Sequence, residues 1–77
     1  MEAFTFSIGE NAGILWRILE DNTELTVSQM KDLTGLKTAD VYAAVGWLAR
    51  EGKIFCREEK GNLYFSNRYI QGSFAFG

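Results

Sequence analysis

Between Ser7 and Asp21 the apolar residues Ile8, Ala12, Leu15 and Leu19 recur at i, i+4, i+7 and i+11, which traces one face of a helix. Ile14 and Ile18 widen that stripe. Ser7 and Glu10 have the spacing of a capping box, so this helix is predicted to begin at "SIGE" and stop near Asp21-Asn22. A short extended piece, "TEL", follows. Thr26 and Gln29 repeat the capping spacing and open a second helix carrying Val27, Met30 and Leu33, with Gly35 placed for a left-handed C-terminal cap. Only "GLK" separates it from Thr38, the predicted N-cap of a third helix from about Ala39 to Glu51. Two helices joined by so tight a glycine-containing turn read as helix-turn-helix. In the third helix Val41, Val45 and Leu48 form the inner face, and Gly52 ends it.

The period then changes. "KIFCREE" and "NLYFS" are β-prone runs separated by "KG", a hairpin signal of three to five loop residues. Ile54 and Cys56 share one face of the first strand, Leu63 and Phe65 one face of the second. The charged tip, Arg57 to Lys60, is assigned to water. Helix, short strand, helix, helix, hairpin is the order of a winged helix-turn-helix, an α+β fold. One domain is expected over residues 1–77, with its core at about 7–66. At the ends, "AFTF" and "SFAF" alternate phenylalanine with small or polar residues. Segments 1–6 and 67–77 therefore read as extended, with Phe4, Phe6, Phe74 and Phe76 facing one way. They would pair within one chain or between two, or else fray.

The run "AAVGWLAREGKI", with "ENAGILWRIL" upstream, resembles a small bacterial winged-helix family of uncharacterised function. The similarity covers nearly the whole chain. It implies a compact winged helix of the DNA-binding type and brings no catalytic residue and no ligand with it.

Composition changes this picture in two ways. A chain of 77 residues with 47% hydrophobic content is a globular domain near the lower size limit for its own core. With 14% aromatic residues, it has more rings than such a core readily takes, which hints at self-association. Net charge is −2 and the pI about 5.0, so the basic excess of a dedicated nucleic-acid binder is missing. One cysteine and no histidine leave no disulfide framework within a chain, no Cys/His zinc cluster and no neutral-pH proton shuttle. Cys56, on the inward-alternating side of its strand, reads as a small buried hydrophobe rather than a nucleophile. No apolar run approaches a membrane span, and "MEAFTFSIGE" lacks the basic start of a signal peptide. A cytoplasmic, non-enzymatic protein without metal or cofactor is expected.

The helical period places Ala39, Asp40, Tyr42, Ala43, Gly46, Trp47 and Arg50 on the outer side of the third helix. A helix that reads base edges wants Arg, Lys, Asn, Gln or Ser there, and this one is mostly small and aromatic. Backbone contact with DNA would draw on Lys37, Thr38, Tyr42, Arg50, Lys53, Arg57 and Lys60, opposed by Asp40, Glu51, Glu58 and Glu59. A homodimer would double those contacts. The alternative is a protein-interaction or homodimerisation module using Tyr42, Ala43, Gly46, Trp47 and the terminal phenylalanines, since aromatic anchors are enriched at interface centres. A glycine within a helix is also costly, by about 1 kcal/mol relative to alanine. Gly46 therefore calls for a reason, either an approaching partner or room for Trp47 to cover the core. The expected role is a transcription-regulatory DNA-binding module of unknown target, with protein interaction as the alternative.

Overall fold

Helix α1 (Glu2–Asp21) crosses the domain and buries Ala12, Leu15 and Leu19, the stripe set by the apolar period. The computed structural model describes the backbone of residues 2–75 and the side chains of residues 7–75. The helix starts well before Ser7, so the expected extended segment over residues 1–6 and the capping box at Ser7 are both corrected. Glu2 to Ile8 holds neither proline nor glycine, and adding a residue to a formed helix is far easier than nucleating one. A four-residue alternation does not outweigh that. The side chains of Phe4 and Phe6, and all of Phe76, lie outside the described residues.

The far end of α1 carries no basic residue in its last turn. Its terminal carbonyls are instead satisfied from a distance. Arg68 donates from Nη2 to the Glu20 and Leu19 carbonyls at 3.1 and 3.4 Å, and Asn22 Nδ2 donates to Ile18 at 2.8 Å. Cationic and amide donors suit the negative end of the helix dipole.

Helix α2 (Val27–Thr34) opens with the predicted capping box. Gln29 N donates to Thr26 Oγ1 at 3.1 Å, and Thr26 N to Gln29 Oε1 at 2.9 Å. Met30 is its fully buried anchor, whereas Leu33 is exposed rather than inward. Gly35 caps it in the left-handed region.

Helix α3 (Thr38–Arg50) begins one residue earlier than expected. Its N-cap is Lys37, which makes no side-chain capping bond, and Thr38 is the first helical residue. At the other end Gly52 sits at φ 69°. The Gly52 and Lys53 N–H groups donate back to Ala49 and Leu48, each at 3.0 Å. This paired return is a Schellman ending, and its left-handed residue favours glycine. Val41, Val45 and Leu48 are buried as predicted, joined by Ala44.

Strands β1 (Phe55–Glu59) and β2 (Asn62–Ser66) form an antiparallel hairpin, and β3 (Phe74–Ala75) pairs with the other edge of β1, giving the order β2-β1-β3. The hairpin turn is tighter than expected. Glu59 pairs with Asn62, so only Lys60 and Gly61 lie between, both with positive φ. That is the primed turn whose twist matches the strands. Leu25 bridges the outer edge of β2 through two bonds with Phe65, at 2.9 and 2.8 Å, so "TEL" is extended as read. Ile54, Cys56 and Phe65 enter the core, while Leu63 stays exposed. Phe74 pairs with Cys56 of its own chain, which realises the within-chain alternative for Phe74 and Ala75; the expected extended run does not reach back over residues 67–73, which bend at 67–68 and turn at 71–72.

Arg57 departs furthest from expectation. It does not sit at a solvated tip. Its guanidinium donates from Nε and Nη2 to both carboxylate oxygens of Glu24 at 2.8 and 3.0 Å, and from Nη1 to Glu59 at 2.9 Å. It also lies 4.7 Å from the ring centroid of Tyr64, its cross-strand partner. The clamp ties β1 to the segment before Leu25.

Leu15 is fully buried at the centre of the cluster. Leu15→Ala is expected to lower unfolding free energy by about 2–5 kcal/mol, measured by urea denaturation. A loss well under 1 kcal/mol would mean that α1 is not the base of the core.

Candidate nucleic-acid interface

Residues expected to meet DNA divide into two groups on α3. At its start Lys37 and Thr38 are exposed, and one turn on Tyr42 is 55% exposed. Tyr42 lines an open cleft of about 320 Å³ with Thr26, Val27 and Ser28 at the start of α2 and Gly61, Asn62 and Leu63 of the hairpin. The hairpin turn, and Lys60 in it, thus lies beside the N-terminal half of α3. Arg50 and Lys53 stand at the other end, roughly 20 Å from Lys37 at the helical rise.

The positive charge is smaller than its residue count. Arg57 is neutralised by two carboxylates, which hold its pKa above the ordinary range by hydrogen bonding and remove it as a phosphate ligand. Lys53 Nζ lies 3.8 Å from Glu51, an exposed pair of little energetic consequence. Lys37, Arg50 and Lys60 make no ion pair among the described residues. Glu51, Glu58 and Glu59 are exposed nearby, and Asp40 is partly so.

The centre of the outer face is small. Ala39 and Gly46 are exposed and Ala43 half-buried. Among the described residues, a Cβ built on Gly46 would meet nothing within 4 Å beyond its chain neighbours and its own helix backbone. Trp47 is half-buried against the core and reaches α1, where a Cβ added to Gly9 would lie 3.9 Å from its Cζ2. Trp47 is a packing residue between α1 and α3. Tyr42, not Trp47, is the exposed aromatic of this surface.

Cys56 is a free, buried thiol. Burial pushes its thiol above the ordinary value of 9.0, and Glu58 adds to the shift, so the unreactive protonated form persists at neutral pH. Above pH 9 the unfolded thiol ionises while the folded one does not. Stability from this group is therefore whole below that pH and declines as pH rises. Denaturation series from pH 7 to about 10 should show a steeper decline for the natural chain than for Cys56→Ala; equal slopes would place the thiol in water. On α3, Gly46→Ala should raise stability by about 0.5–1 kcal/mol in the same assay, and a loss would mean that the site is packed.

Among the described residues, no helix is long and apolar enough to cross a membrane. The chain is 41% identical over 58 residues to the uncharacterized protein MJ1608 of Methanocaldococcus jannaschii, a match covering 71% of this chain and 81% of that protein. That relative is archaeal, whereas the resemblance pointed to a bacterial family. Residues 1–67 match the winged helix-turn-helix domain family DUF2582. Three helices, a hairpin and a third antiparallel strand are the parts of that fold, and the chain belongs to this family.

Proposed function

We propose that this chain is a non-catalytic, transcription-regulatory DNA-binding module that holds the duplex backbone and reads little sequence. The observation that carries this reading is the exposed group Lys37, Thr38, Tyr42 and Lys60, on the start of α3 and the adjoining hairpin turn of a winged helix. The N-terminal residues of a recognition helix approach base edges in helix-turn-helix complexes, and backbone N–H groups at a helix start favour phosphate. Only Thr38 and Tyr42 offer hydroxyls there. Ala39, Ala43 and Gly46 permit close approach but supply no donor or acceptor. Backbone contact with weak discrimination follows, and two copies would be needed for a firm grip.

A second reading rests on Gly46. Its unexplained open position beside Tyr42 suits a protein surface seated on α3. The two readings separate cleanly by salt.

A fluorescent random duplex should bind at about 50 mM salt and release steeply above it. With Lys37, Arg50 and Lys60, and the weakly paired Lys53, available on this surface, the log–log salt slope should be about −3 to −4 per bound copy. Lys37→Ala and Lys60→Ala should each weaken binding uniformly across sequences and reduce the slope by about 1. No binding with about 100 μM protein at low salt would end the DNA reading and leave the protein-contact one.

A further inference from the structure

We infer that the outer face of α1 is a docking surface for a second copy of this chain, packed antiparallel about a two-fold axis between Gly13 and Ile14. On α1, Ala12, Leu15 and Leu19 enter the core, while Glu10, Gly13, Ile14 and Arg17 are exposed on the opposite side. Ile14 is 40% exposed, a β-branched apolar residue in the middle of that face. Neither Glu10 nor Arg17 takes part in a salt bridge among the described residues.

The charge arrangement decides the partner and its direction. When two identical helices pack antiparallel about that axis, Glu10 of each copy faces Arg17 of the other, so one operation satisfies all four charges. The same operation sets each Ile14 against the partner's Gly13. Among the described residues, a Cβ on Gly13 would meet nothing within 4 Å beyond its chain neighbours and its own helix backbone, so the described packing gives no use for the missing side chain. Across the axis, the missing side chain lets the two backbones approach. A parallel pair would instead set Glu10 against Glu10 and Arg17 against Arg17. The face is thus complementary to itself in one orientation only.

No residue of α1 lines the cleft at Tyr42 and the hairpin turn, so a dimer built this way leaves that cleft open in both copies. The inference goes beyond the DNA reading and does not depend on it.

Sedimentation equilibrium of the full chain from about 10 to 300 μM tests the inference. A monomer–dimer equilibrium is expected. Glu10→Arg and Arg17→Glu should each weaken it by about tenfold or more, since like charges then meet twice. The double variant carrying both changes should restore the dimer, and Ile14→Asp should abolish it. Thermal melts followed by circular dichroism confirm folding, because all these positions are solvent-facing in one chain. A natural chain that stays monomeric overturns the inference, as does a dimer indifferent to both single reversals. So does a dimer that Gly46→Arg dissociates while Ile14→Asp does not, which would move the contact to α3. Duplex binding is read separately by fluorescence, so failure of either result leaves the other interpretable.

Discussion

Burial of the inner face of α3 against α1 sets everything else in this domain. Val41, Ala44, Val45 and Leu48 meet Ala12, Leu15 and Leu19, and Met30, Ile54 and Phe65 close the cluster from α2 and the sheet. Among the described residues no other pair of elements packs more extensively, and this contact fixes the rotation of both helices about their axes. Once those faces are inward, the opposite faces are assigned without further choice. Ala39, Gly46 and Arg50 must look out from α3, and Glu10, Gly13 and Arg17 from α1. The two surfaces available to partners are consequences of one apolar contact.

Electrostatics then trims what the outer surfaces can do. A domain with net charge −2 has few cations to offer a polyanion, and the fold withdraws Arg57 for its own use. A bidentate arginine–carboxylate pair is geometrically demanding, and Glu24 and Glu59 satisfy it from two sides. The clamp ties the segment entering α2 to β1, next to the Leu25–Phe65 bridge. Arg68 is used in the same way at the end of α1. Charged residues that look like ligands in a linear reading thus serve as connectors between elements.

Much of the architecture was legible because the relevant signals are local. The capping box at Thr26 and Gln29, the endings at Gly35 and Gly52, and the burial of Met30, Val41 and Leu48 all depend on residues within a few positions of one another. The failures share a cause. Ile14, Leu33 and Leu63 are apolar residues that the period placed inward or at the edge of a stripe, yet a small domain has too little interior to take them. The start of α1 was misplaced because a short alternation of phenylalanines competed with the ease of extending a helix already formed. The candidate site was legible as a list and not as an arrangement. Tyr42 and the hairpin turn come together only because β1 and β2 fold back beside α2.

The sequence by itself determined the order of elements, their caps, most of the core and the weakness of the positive charge, since these follow from period, turn chemistry and composition. Tertiary structure alone decided that Arg57 is bound, that Trp47 packs on α1 beside Gly9, and that Gly46 and Gly13 face open space. Each of these is a relation between residues distant in the chain or a question of what lies beyond a backbone position. Neither periodicity nor composition carries that information, because both describe a residue's neighbours along the chain and not those across the fold.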